Sequence, residues 1–315
     1  MNMHTASTDT AREPTPGRRH LLGWALAGAA AAGAAGLGTP QPVQAQTAAP
    51  APARRRYAGQ VVMVTGATSG IGRAAALQFA EEGAKVVFCG RREALGREVE
   101  QLIRSRQGEA TYVRADVRQE KDVEAFVAAA MRLYGRLDVA FNNAGITVEK
   151  PLHEYTSAEW DDVQHTNVRG VFLAMKYQLP HMIQAKKGSI VVTSSTAALS
   201  SGAKKSAYSA SKRALIGLVQ AAAFDYADSG IRVNALLPGT TKTDFVRRLA
   251  GMTSLPDKVW DVAITQWARA KLPGDKRLAT PEEVAAFALM LASSDHPHLT
   301  GGTYVIDGGQ SAYSA

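Results

Sequence analysis

Gln60-Val61-Val62-Met63-Val64-Thr65 runs directly into Gly66-Ala67-Thr68-Ser69-Gly70-Ile71-Gly72. The first six residues are apolar and β-branched like a buried strand, and Ser69–Glu82 comes next with a helical periodicity that stops at Gly83. The glycines between them are spaced Gly-x3-Gly-x-Gly. Such a turn can be tight and can let another backbone approach closely, so the N–H groups at the start of the helix can face a pyrophosphate. A glycine-rich turn alone is a weak signal, and its weight comes from standing on the first βα turn of a parallel sheet.

The rest of the chain predicts that sheet. Lys85–Cys89, Ala110–Arg114 and Asp138–Asn142 read as buried strands, separated by helices over Arg92–Arg106 and Glu120–Tyr134. The alternation continues with a helix around Thr166–Ala185, strand Ser189–Thr193, helix Ala207–Asp228 and strand Arg232–Leu237. After a long irregular segment come helix Pro281–Ala292 and a last strand, Thr303–Ile306. The expectation is an α/β chain with one doubly wound domain: a seven-stranded, mostly parallel sheet with helices on both faces.

The composition agrees with this. In 315 residues, 46% apolar and 20% charged side chains exclude a disordered or collagen-like chain. Cys89 is the only cysteine, which excludes an internal disulfide and a Cys-clustered metal site, and no metal is expected. The formal charge is +8, but six arginines against Asp9 and Glu13 put +4 of it within residues 1–56. No basic stripe with interleaved aromatics occurs after Arg56, so no nucleic-acid partner is expected.

Residues 1–45 read as an export address. Arg18-Arg19-His20-Leu21-Leu22 leads into the Ala/Gly/Leu stretch Leu21–Gly38, and Val43-Gln44-Ala45 has the small residues of a cleavage site. The paired arginines before a weakly hydrophobic stretch favour a twin-arginine signal and a periplasmic destination, with a cytoplasmic location as the alternative. Ala and Gly contribute too little transfer energy for a stable membrane span. Residues 46–57 read as an Ala/Pro/Arg linker, leaving 58–315 as the catalytic domain.

Chemistry-bearing residues gather where strands end. Asn142-Asn143-Ala144-Gly145 ends the fourth strand, Ser194-Ser195 the fifth and Pro238-Gly239 the sixth, with Thr241 and Thr243 just beyond. Asn167 lies in a neighbouring helix. Tyr208-Ser209-Ala210-Ser211-Lys212 puts a phenol and an ammonium one helical turn apart on one face. Open α/β sheets bind ligands at this carboxyl edge.

From roughly Ala58 to Ala312 this set resembles the short-chain dehydrogenase/reductase family: TGATSGIG, Asp116-Val117, NNAG, Asn167, Ser195, YSASK, PGTTKT and the late Thr300-Gly301 with Asp307-Gly308-Gly309. The resemblance implies a Rossmann-type domain, a nicotinamide cofactor and a homo-oligomer, a tetramer or dimer. It implies that Tyr208 is the general acid/base and that Lys212 lowers its pKa and holds the nicotinamide ribose. Ser195 would orient and polarise the substrate oxygen, and Asn167 would hold a water in the proton relay. Cofactor contacts are implied at Gly66, Thr68, Ser69, Gly70, Ile71, Gly72, Arg91, Arg92, Asp116, Val117, Asn143, Ala144, Gly145, Tyr208, Lys212, Pro238, Gly239, Thr241 and Thr243. The physical need is independent of the family: a phenol is a poor base at neutral pH unless a cation lies close by.

After the second strand, where an acid would bond the ribose 2′-OH of NAD(H), stands Gly90, with Arg91 and Arg92 after it. Two guanidiniums and no acid suit a 2′-phosphate, so NADP(H) is favoured over NAD(H). The substrate is a small-molecule alcohol or carbonyl compound. Segment 244–278 is expected over it and holds Arg247, Arg248, Lys258 and Arg269 together with Phe245, Met252, Leu255, Trp260 and Trp267, the apolar ones either lining a pocket or packing the segment's own helices. Leu199, Ser200 and His153 are further candidates. The reading is an NAD(P)-dependent oxidoreductase interconverting a secondary alcohol and a ketone; the alternative is a nucleotide-binding sensor or scaffold without turnover.

Overall fold

The computed structural model describes residues 55–312. The export address and most of the linker expected before the domain lie outside the described residues. The strands are β1 (Val61–Thr65), β2 (Lys85–Gly90), β3 (Glu109–Arg114), β4 (Val139–Asn142), β5 (Gly188–Thr193), β6 (Ile231–Pro238) and β7 (Thr303–Ile306). The helices are α1 (Gly70–Glu81), α2 (Glu93–Ser105), α3 (Glu120–Tyr134), α4 (Ser157–Gln164), α5 (Gly170–Ala185), α6 (Ser206–Asp225), α7 (Asp244–Leu249), α8 (Asp257–Lys271) and α9 (Pro281–Ala292).

The sheet order is β3-β2-β1-β4-β5-β6-β7, and every neighbouring pair is parallel. A mostly parallel sheet was expected, and it is wholly so. β1, β4 and β5 are buried along their whole length, which is why they read as unbroken apolar runs without alternation. One core packs α1, α2 and α9 against one face of the sheet, and a second packs α3, α5 and α6 against the other. Strand order reverses between β1 and β4, which opens a crevice at their carboxyl ends.

Two elements differ from the sequence expectation. The helix expected from Thr166 begins earlier: Thr156 and Glu159 form a reciprocal capping box that starts α4, and a π turn, His165–Arg169, carries α4 into α5. The irregular segment after β6 folds as α7, capped by the Thr243 hydroxyl, and α8, whose Trp260, Ile264 and Ala268 close with Leu278 over a small core of their own.

The linker boundary also moves. Tyr57 is fully buried, with its ring edge-on to Phe79 at 4.8 Å and its hydroxyl donating to the Leu289 carbonyl. Arg56 pairs with Glu82 at the end of α1. Arg56 and Tyr57 therefore belong to the folded unit, because α1 and α9 leave an aromatic slot at the foot of the sheet.

Arg232 of β6 closes the same end. Its guanidinium donates to the carbonyls of Leu291, Ala292, Ser293 and Leu299 and to the Ser189 hydroxyl, at 2.9–3.1 Å. A cation at the last turn of α9 also suits the helix dipole. Arg232→Met leaves these acceptors unpaired, and urea denaturation should show a loss of roughly 2–4 kcal/mol. A loss under about 0.5 kcal/mol would show that water replaces the guanidinium at no cost.

Candidate active site

The crevice is braced by side chains that sequence reasoning placed at the strand ends. Thr65 Oγ1 accepts from the N–H groups of Asn143 (2.9 Å) and Ala144 (3.1 Å), which ties the end of β1 to the end of β4. The Thr193 hydroxyl donates to Asn143 Oδ1 at 3.2 Å, and the Ser194 hydroxyl donates to the Lys212 carbonyl at 2.7 Å. Strands β1, β4 and β5 and helix α6 are thus held in one register.

The turn between β1 and α1 closes tightly against this brace. Gly66 has φ +69°, and a Cβ there would lie 2.7 Å from the Ala144 Cα. A Cβ on Gly72 would lie 2.4 Å from the Gly66 carbonyl oxygen. Ser69 precedes α1 in an extended conformation, yet its side chain makes no capping bond. The first N–H groups of α1 therefore remain available to an anion.

Lys212 is 3% exposed, and its Nζ donates to the Thr193 carbonyl at 2.8 Å. Burial pushes its ammonium down to about 8. Nζ lies 5.6 Å from the centroid of the Tyr208 ring. Burial also pushes the Tyr208 phenol above its ordinary value; a hydrogen bond with Ser195 acts against this and the Glu149 carboxylate adds to it. Desolvation is the largest influence on the Tyr208 phenol, while the Lys212 ammonium is bound to the Thr193 carbonyl.

Asn167 is fully buried and does not line the crevice. Its Oδ1 accepts from the Ile146 N–H (2.8 Å), and its Nδ2 donates to the Ile146 carbonyl and the Ser211 hydroxyl, both at 2.9 Å. The side chain is committed to holding the loop after β4 against α6.

A cleft of about 1270 Å³ gathers most of the expected site. Ser195, Tyr208 and Lys212 line it, as do Gly66, Thr68, Ser69, Gly70, Ile71, Arg91, Arg92, Asp116, Val117, Asn143, Ala144, Gly145, Pro238, Gly239, Thr241 and Thr243. Gly72 stands behind the turn. Thr166, Glu149 and Lys205, which the sequence did not single out, also line it, with Thr193 at the end of β5 and Arg248 of segment 244–278. The buried Thr166 hydroxyl has no partner among the described residues. Of the three not singled out, Thr166 carried a positional hint, because it stands next to Asn167.

At the β2 end, a Cβ on Gly90 would lie 2.5 Å from Thr68 Cγ2, so no acidic side chain fits there. Arg92 Nη2 donates to the hydroxyls of Thr68 (3.0 Å) and Ser69 (2.6 Å), and Arg91 lies 4.0 Å from Asp116. Arg118 grips Asp116 and reaches Asp162 of α4 at 2.5 Å. Beyond Tyr208 the walls are apolar: Phe245, with its ring 6.2 Å from that of Tyr208, then Val246, Met252, Trp260, Ile264 and Trp267. Trp260 and Ile264 serve both readings of segment 244–278, as wall and as its own core. Ser200 lines the cleft, whereas Leu199, Leu255 and His153 do not.

A family model described as Enoyl-(Acyl carrier protein) reductase matches residues 66–311. The chain is 40% identical over 257 residues to a cis-4-hydroxycyclohexanecarboxylate dehydrogenase of Sinomonas cyclohexanicum, covering 81% of this chain and 98% of the relative. It is 36% identical over 270 residues to a 3beta-hydroxysteroid dehydrogenase of Mediterraneibacter gnavus, covering 82% and 97%. The crystal structure of levodione reductase superposes with a TM-score of 0.75 at 33% identity, covering 82% of this chain and 100% of that one. The chain is a short-chain dehydrogenase/reductase. Its membership in this family of oxidoreductases rests on the match across the whole described domain.

The buried ammonium of this short-chain dehydrogenase/reductase has a measurable signature. Between about pH 8 and the ordinary lysine value of 10.5, the unfolded chain holds the Lys212 proton and the folded chain has released it. Raising pH through that window therefore stabilises the fold. Urea denaturation should show the parent gaining up to roughly 3 kcal/mol relative to Lys212→Met between those two pH values. A difference that stays constant with pH would contradict the buried-ammonium assignment.

Proposed function

We propose that the protein interconverts a secondary alcohol and a ketone on a bulky, ring-bearing skeleton, with hydride exchanged with NADP(H) in preference to NAD(H). The observation that carries this reading is the placement of Tyr208, Ser195 and Lys212 between the phosphate-ready turn and an apolar wall, within one cleft. The residues present fit a dinucleotide: the turn admits close backbone approach, and the start of α1 offers uncapped N–H groups. When bound, the nicotinamide supplies the hydride chemistry.

The chain's own groups then divide the remaining tasks. Tyr208, with its phenol proton held by burial, donates to the substrate oxygen in the direction of reduction. The Ser195 hydroxyl accepts from the Ala197 N–H at 3.1 Å, which leaves its proton to orient that oxygen and stabilise its developing charge. Lys212 favours the phenolate needed in the direction of oxidation. Asn167 holds the loop after β4 in place.

The substrate class is inferred from the wall and from two relatives named for a hydroxysteroid and a hydroxycyclohexanecarboxylate. The family model's description names an acyl-carrier-protein reductase. The Tyr-x3-Lys spacing and the relatives' names favour carbonyl over double-bond reduction. For the nucleotide, the exclusion of an acid at Gly90 and the guanidiniums of Arg91 and Arg92 favour a 2′-phosphate.

A panel of cyclic secondary alcohols and ketones, monitored by the absorbance of the reduced nicotinamide with each nucleotide in parallel, tests this. Turnover should be faster with the phosphorylated nucleotide, and Arg91→Ala should raise its KM more than that of NAD(H). Tyr208→Phe should lower kcat by about 10²–10⁴-fold. Undiminished turnover in Tyr208→Phe would sink the mechanism, and an NAD preference untouched by Arg91→Ala would sink the nucleotide assignment.

A further inference from the structure

Two adjacent arginines of α7 have opposite surroundings. Arg247 is folded into its own segment, bonded to Asp257 (2.7 Å), to the Met252 carbonyl (3.0 Å) and to the Leu255 carbonyl. Arg248 is exposed, its guanidinium has no hydrogen bond or ion pair with a described residue, and it lines the cleft together with Arg91, Arg92, Ser69 and Gly70. The start of α7 is packed on the phosphate turn: a Cβ on Gly70 would lie 3.2 Å from Thr243 Cγ2. The helix that opens the substrate wall therefore begins against the turn, and one of its guanidiniums joins the β2 corner.

That corner holds three guanidiniums, and nearby carboxylates offset them only in part. Asp116 is gripped by Arg118 and lies 4.0 Å from Arg91. Burial lowers the Arg92 pKa, and the charges of Arg248 and Arg91 add to this while Asp244 opposes it. Arg92 Nη2 is taken by the Thr68 and Ser69 hydroxyls, which are neutral, so Asp116 and Asp244 are left as partial compensation. A dianionic phosphate would relieve the repulsion and satisfy several donors at once.

We infer that Arg248 is a third binding residue for the 2′-phosphate of NADP(H), so that the phosphorylated nucleotide fastens the substrate-covering segment to the cofactor site. This rests on the NADP(H) preference proposed above. NAD(H) offers no phosphate at that corner and leaves Arg248 unengaged. Choice of nucleotide then bears on how firmly α7 and the wall behind it are held.

Calorimetric titration of the full chain with NADP+ and NAD+, together with limited proteolysis of segment 242–276, tests this. Arg248→Gln should weaken NADP+ by about tenfold and NAD+ by less than about twofold, the scale of one charge-assisted bond. Arg248→Lys should recover part of the loss, and Asp244→Asn should tighten NADP+. In the parent, NADP+ should protect the segment from cleavage better than NAD+ does, and Arg248→Gln should remove that difference. Equal weakening of both nucleotides would assign Arg248 to the shared pyrophosphate or to structure and overturn the inference. If the parent prefers NADP+ and Arg92→Ala abolishes the preference while Arg248→Gln does not, this inference alone falls. If the parent binds both nucleotides alike, the nucleotide preference falls and this inference with it.

Discussion

The burial of one ammonium group organises the site. Lys212 sits on α6 with its Nζ on the Thr193 carbonyl at the end of β5, almost wholly out of water. A charge so placed must be compensated, or it releases its proton, and its pKa is accordingly drawn down to about 8. The surrounding braces fix its position: Ser194 bonds the Lys212 carbonyl, Thr193 bonds Asn143, and Thr65 bonds the N–H groups of Asn143 and Ala144. A polar network linking β1, β4, β5 and α6 thus fixes Lys212, and Tyr208 one turn before it, relative to the turn between β1 and α1.

The same architecture separates the tasks along the cleft. At the β2 end, Gly90 and the adjoining Arg91 and Arg92 gather positive charge at one corner. In the middle, Ser195 and Tyr208 present hydroxyls beside the buried cation. At the far end, α7 and α8 supply aromatic and aliphatic walls over a small core of their own. Arg248 joins the two ends, because α7 starts against the phosphate turn and runs toward the wall.

Much of this was legible in the sequence because buried parallel strands announce themselves. Continuous apolar runs such as Val61–Thr65, each leading to a helical period, located all seven strands of the sheet, and the strand ends located the rim. The start of α4 was placed too late, at Thr166, although Thr156-x-x-Glu159 is a capping-box signature; the π turn after it has no such signal. Tyr57 was misread because Ala/Pro/Arg composition on its N-terminal side says nothing about an aromatic slot between α1 and α9. Asn167 was located, but its side chain turned out to be a fastening between Ile146 and Ser211, a contact that depends on the loop after β4. Glu149 and Lys205 reach the cleft from connections whose course only the fold decides, and Arg248 reaches it from a segment whose helices the sequence left undrawn.

In the proposed reaction a hydride passes between a nicotinamide and a carbinol carbon while Tyr208 handles the oxygen's proton. Mass spectrometry of the product after incubating a cyclic ketone with deuteride-labelled NADPH tests it most directly. One deuterium is expected on the carbon bearing the new hydroxyl, formed by the parent protein and all but lost in Tyr208→Phe. Deuterium at a carbon of a reduced double bond, or equal labelling by the Tyr208→Phe variant, would contradict it.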